Sequence, residues 1–79
     1  MAPTSKLTLI QRDNCHLCDL AWEVLAEAGI CDFDPLWIDA DLGLEARYGT
    51  RVPVLRNEVS GGEIDWPFDI AAVQRLVAP

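Results

Sequence analysis

Apolar positions along the chain recur with two different periods. Leu7-Thr8-Leu9-Ile10 is a short β-favouring run followed by Asp13 and Asn14, and it predicts a first, largely buried strand. The period then changes. Leu17, Leu20, Ala21, Val24, Leu25 and Ala28 fall at the i, i+3, i+4, i+7, i+8, i+11 spacing of one helix face. Asp13 or Asn14 is placed to cap that helix, and Gly29 suits the left-handed position beyond its end. Asp19, Glu23 and Glu27 form an acidic outer stripe.

Phe33 to Asp39 predicts a second strand, with Pro35 near its start, where proline is tolerated. Asp41 can cap a short helical turn carrying Leu44, Arg47 and Tyr48, stopped by Gly49. Val52-Pro53-Val54-Leu55 predicts a third strand, Asn57 to Gly62 a turn, and Glu63-Ile64-Asp65-Trp66 a fourth strand. Ile70, Val73, Leu76 and Val77 give a last helix its apolar face. The order is β-α-β-(α)-β-β-α. A helix between the first two strands implies a parallel pair, and the tight link between the last two implies an antiparallel hairpin.

Seventy-nine residues, 51% of them hydrophobic, make one domain spanning 1–79, without repeats or a linker that would divide it. Six basic against thirteen acidic side chains leave a formal charge of −7. That balance argues against nucleic acid or an anionic membrane as partner, because both select cationic surfaces. No apolar stretch reaches the roughly 18 residues of a membrane span. The first residues, Met-Ala-Pro-Thr-Ser-Lys, carry no signal-peptide core. A cytoplasmic protein is expected, and nothing demands more than a monomer.

Three cysteines are too few for a secreted disulfide framework. Cys15 and Cys18 are separated by His16 and Leu17, and a bridge over so short a loop stabilises little. Redox chemistry explains the pair better. Cys15 falls at the first turn of the helix, where unpaired backbone N–H groups and the helix dipole favour thiolate over thiol. Cys18 lies beside apolar positions one turn on and is expected to be less exposed, so Cys15 would attack and Cys18 would resolve the mixed disulfide.

Two readings compete: a metal site and inert packing cysteines. Only Cys31 and His16 could join a metal, which leaves a closed four-ligand site short of ligands. Cys31 is expected to pack as a small hydrophobe. His16 can share charge with a Cys15 thiolate or shuttle its proton, and Asp13 and Asp19 oppose that thiolate. Trp22, Trp37 and Trp66 read as packing residues.

Cys15-His16-Leu17-Cys18 after a first strand, with Val52-Pro53 opening a later one, resembles the glutaredoxin branch of the thioredoxin fold. Asp39-Ala40-Asp41, the run Arg47 to Leu55, and Asp65-Trp66-Pro67-Phe68-Asp69 are similar to a group of small bacterial glutaredoxin-like proteins. The resemblance covers nearly the whole chain. It implies a thioredoxin-like α/β fold with a mixed four-stranded sheet, and thiol–disulfide oxidoreductase activity on a disulfide-containing protein or small thiol. It makes Pro53 a cis-proline facing the dithiol, with Val52 offering its backbone to an extended substrate. It places Trp66 near the redox edge. Arg12 stands where glutaredoxins often carry a lysine that supports the thiolate or holds a glutathione carboxylate, and Arg51 is a weaker candidate of that kind.

The chain departs from the glutaredoxin pattern in three places, one of them Arg51, which stands where many members have threonine. His-Leu replaces Pro-Tyr between the cysteines, and Asp65 to Asp69 occupies the place of the Gly-Gly-x-x-Asp segment that receives glutathione. No cofactor is therefore expected. A thioredoxin-fold binding module without catalysis is the alternative function, and a dimer sharing an iron–sulfur cluster through Cys15 is a more distant third.

Overall fold

The molecule is described by a computed structural model covering residues 6–78. The elements are β1 (Leu7–Gln11), α1 (His16–Glu27), β2 (Asp34–Trp37), α2 (Leu42–Tyr48), β3 (Val54–Asn57), β4 (Glu63–Asp65) and α3 (Ile70–Val77). They form a four-stranded sheet in the order β2-β1-β3-β4. β1 pairs parallel with β2, in the register Leu9↔Pro35 and Gln11↔Trp37. It pairs antiparallel with β3, Ile10 facing Val54, and β3 pairs antiparallel with β4, Leu55 facing Ile64. Pro35 is accommodated because β2 is an edge strand and can lack a donor on its outer side.

β1 is buried at all five positions because both sheet faces are covered. On one face Leu7 and Leu9 pack with Ala21 and Leu25 of α1, Leu55 of β3, Phe68 just before α3 and Val73 within it. On the other, Ile10 packs with Ile38, Tyr48 and Val54. Each fully buried aliphatic side chain contributes about 1.5–3 kcal/mol. Tyr48 is fully buried, and its hydroxyl is satisfied: it donates to Glu63 at 2.6 Å and accepts from Arg56 at 2.9 Å.

The helix starts follow their capping chemistry, with one correction. Asp41 caps α2 through Leu44 N–H (3.0 Å), and Asp69 caps α3 through Ala72 N–H (2.8 Å). The cap of α1 is neither Asp13 nor Asn14 but Cys15, whose sulfur accepts the Cys18 N–H. Asn14 takes a left-handed conformation instead (φ 54°), which asparagine tolerates, and this turn delivers Cys15 to the cap. Gly29, at φ 80°, terminates the helix as expected.

The buried stripe of α1 is also displaced from the periodic reading. Cys18, Ala21 and Leu25 are buried, whereas Leu17 is 44% exposed. Cys18 thus occupies the core position that the apolar pattern assigns to its neighbour. β3 begins at Val54, two residues later than expected, after the Val52–Pro53 bond, which is cis; Trp66–Pro67 is also cis. The backbone bond from Trp66 N–H to the Pro53 carbonyl (3.0 Å) ties the two segments together.

Candidate dithiol site

Three elements converge on the cysteine pair. β1 ends at Gln11, the loop 12–15 leaves it, and α1 begins directly behind Cys15. Cys18 N–H points at Cys15 Sγ (3.2 Å), and Asp19 N–H donates to the Cys15 carbonyl (3.2 Å). The Asp19 bond is the first of the helix ladder, whereas the Cys18 N–H, one of the donors a helix start leaves unpaired, is aimed at the sulfur itself, which favours negative charge there. The Cα atoms of Cys15 and Cys18 are 5.2 Å apart and the sulfurs lie at disulfide distance. Cys15 is half-buried, while Cys18 is only 2% exposed. The pair is asymmetric in the sense that roles of attack and resolution require.

A cavity of about 430 Å³ opens beside the pair. Among the expected site residues it brings together Arg12, Cys15, His16 and Cys18. Its remaining walls include Gln11, Trp22 and Trp37, none of which the sequence pattern marked as functional. Trp22 and Trp37 are 43% and 50% exposed, so these two indoles are cavity walls rather than core. The register Gln11↔Trp37 sets Trp37 beside the end of β1, and Trp22 Nε1–H donates to Gln11 Oε1 (3.0 Å). Alternation along β1 puts Gln11 on the same face as Leu7 and Leu9, the one signal that could have marked it as inward-facing.

Arg12 corrects an expectation. Its guanidinium grips both carboxylate oxygens of Glu45 and donates to the Gly49 carbonyl (3.0 Å). The hydrogen bond to Glu45 raises its pKa, and its charge is committed to α2 rather than to Cys15. Arg51 is committed likewise. It holds Asp65 through two nitrogens (3.1 and 2.8 Å) and Glu63 through one (2.9 Å). Both arginines reach for carboxylates because the acid-rich surface supplies them in excess.

Arg51, Val52, Pro53 and Trp66 do not line this cavity. Val52 and Pro53 stand at the start of β3, at the same end of the sheet as the exit from β1, by the pairing of Ile10 with Val54. The Val52 N–H already donates to the Tyr48 carbonyl (3.0 Å) and so is committed within the fold. Trp66 packs edge-on against Phe68 (5.1 Å between centroids), partly buried against the core and away from the cavity.

Cys31 is exposed rather than packed. Ile30 N–H closes back on the Leu25 carbonyl (2.9 Å) and Ile30 takes the inward place, leaving Cys31 outside. It lines a larger hollow of about 680 Å³ with Leu7, Ile30, Val59 and Val77, at the other end of β1 from the dithiol. Among the described residues no group of three or more His, Cys, Asp or Glu side chains is arranged to hold a metal ion. Nor is any described helix long and apolar enough to cross a membrane.

A sequence profile of the Glutaredoxin-like domain (DUF836) matches residues 6–78. The chain belongs to this glutaredoxin-like family. It is similar to the X-ray structure of the Northeast Structural Genomics target protein XcR50 from X. campestris, with 52% identity and a TM-score of 0.85 over 92% of this chain and 99% of that one. The solution structure of XcR50 gives 51% identity and a TM-score of 0.84, over 94% and 96% of the two chains. No curated protein matches the chain. Glutaredoxin-like membership and these neighbours make the sheet and its helices a thioredoxin-like fold. The glutaredoxin-like domain carries its cysteine pair on the first turn of α1.

Proposed function

We propose that this glutaredoxin-like chain is a thiol–disulfide oxidoreductase in which Cys15 attacks and Cys18 resolves. The observation that carries the reading is the placement of Cys15 Sγ at the helix cap, receiving the Cys18 N–H, above a buried Cys18 at disulfide distance. In the reduced protein the Cys15 thiolate attacks one sulfur of a substrate disulfide. A Cys15–substrate bond forms, the substrate S–S bond breaks, and the first substrate thiolate leaves and takes a proton from water. Cys18 then gives up its proton and attacks Cys15 Sγ. The Cys15–Cys18 bond forms, the second substrate thiolate departs, and two electrons have passed from protein to substrate. Two equivalents of a small thiol, or one dithiol, then reduce the Cys15–Cys18 bond and are themselves oxidised to a disulfide. His16, exposed at the start of α1 and lining the cavity, is the side chain proposed to relay the exchanged protons.

The test is trapping. Cys18→Ser, reduced and exposed to a disulfide substrate, should accumulate a mixed disulfide at Cys15 by mass spectrometry, and Cys15→Ser should not. Differential alkylation of the native chain should find Cys15 modified before Cys18, which supplies the same answer if a variant folds poorly. Reaction at Cys31 alone would overturn the proposal. Binding of a partner with no exchange at either sulfur would favour a docking module built on the same fold.

A further inference from the structure

The cavity beside the dithiol is walled by Arg12, His16, Asp13 and Asp19, and its unpaired full charges are acidic. Neither arginine of the expected site offers it free positive charge: Arg12, on its wall, is clamped by Glu45, and Arg51 lies outside it, held by Asp65 and Glu63. The rim carries Asp13 and Asp19 on either side of the cysteines. Asp39 joins them, since its Oδ2 accepts the Asp13 N–H at 2.9 Å. No ion pair involves Asp13 or Asp19 among the described residues. The exposed indoles of Trp22 and Trp37 add π-faces, which attract cations and repel anions.

A second, independent feature points to a ligand. Gln11 lines the cavity yet is only 4% exposed, and its Nε2 has no hydrogen-bond partner. The amide is not free to turn over, because Trp22 Nε1 can only donate and therefore requires Oε1. A buried amide N–H without an acceptor is destabilising, and a carbonyl brought in by a ligand would satisfy it.

We infer that the substrates of this site are disulfides in extended peptide segments with cationic flanking residues. This deepens, and rests on, the oxidoreductase reading. The flanking Lys or Arg meets Asp13, Asp19 and the indoles, a backbone carbonyl meets Gln11 Nε2, and the disulfide reaches Cys15. An anionic disulfide such as oxidised glutathione meets uncompensated carboxylates instead. The exchange is the one written above, two electrons passing from the Cys15–Cys18 dithiol to the substrate disulfide.

The test compares single-turnover oxidation of the reduced full chain by three small disulfides: cystamine (cationic), hydroxyethyl disulfide (neutral) and oxidised glutathione (anionic). Each rate is divided by that of the same disulfide with dithiothreitol, which removes intrinsic reactivity. At low salt, cystamine should lead oxidised glutathione by about tenfold or more. The advantage should shrink towards parity near ~1 M salt, where the screening length is about 3 Å. The double variant D13N/D19N should narrow it without added salt. Two disulfide peptides of equal length, flanked by Lys or by Glu, should rank in the same order, and Q11M should narrow the Lys peptide's lead over hydroxyethyl disulfide. Equal normalised rates for all three small disulfides would overturn this inference while leaving the oxidoreductase reading intact. No adduct at Cys15 with any of them would overturn both.

Discussion

Glu45 holds Arg12 from 33 residues away, with one carboxylate oxygen on each terminal nitrogen, and so removes a positive charge from the doorstep of Cys15. Substituting the acid should therefore change the site more than its distance in sequence suggests. E45Q leaves the Arg12 charge unopposed near the cavity and should speed reaction with oxidised glutathione by about two- to fivefold at low salt. R12A should act in the opposite direction. Stopped-flow oxidation of the reduced proteins reads both, and equal rates for the two variants would show that the pair has no influence on the dithiol.

Tyr48→Phe keeps the buried ring and removes the hydroxyl that links Glu63 and Arg56. Glu63 would retain Arg51, yet lose its shortest partner inside a half-buried network. A loss of about 1–3 kcal/mol is expected in urea unfolding, with the slope of the transition unchanged.

Acid should weaken the fold through the same network. The pKa values of Glu63 and Glu58 are lowered, chiefly by hydrogen bonds from Tyr48 and Thr8 respectively, with desolvation opposing, and that of Asp65 is lowered chiefly by Arg51. A depressed folded-state value means that the unfolded chain binds the protons more readily. The contribution is full above the ordinary glutamate value of 4.5 and is lost as pH falls through the lower folded values. Melting temperature should hold from pH 7 to about 5 and drop below that. In Y48F the drop should be shallower, because one cause of the depression is gone.

Gly29 separates backbone from packing effects. Its φ is +80°, and a Cβ built there would meet no atom within 4 Å. Gly29→Ala should therefore cost about 1 kcal/mol through conformation alone, and Gly29→Asn less, since asparagine tolerates the left-handed region. Equal stability of all three in thermal unfolding would show that the C-terminus of α1 relaxes to another conformation.

Much of this molecule is written locally. The β-favouring run of β1, the 3.6-residue period of α1, the Asp41 cap and the left-handed Gly29 each depend on neighbours within a few positions, and each is legible in the chain. So is the cysteine pair at a helix start, because helix termini leave donors wherever they occur. Leu17 and Cys18 show the limit of that reading. Both fit an apolar stripe within one position of each other, and only the tertiary structure decided that Cys18 is buried and Leu17 exposed.

The character of the site was decided by the tertiary structure. Sheet register, not proximity in the chain, set Trp37 beside Gln11 and pinned Gln11 under Trp22. Fold-wide competition among thirteen acids for six bases determined that Arg12 and Arg51 would be consumed by carboxylates rather than left for a ligand. Periodicity and capping are short-range and survive in any context, whereas ion pairing and cavity walls join residues that only the closed sheet makes neighbours. The amino-acid order thus determined where the cysteine pair would stand, and the folded chain decided which charged and aromatic groups surround it.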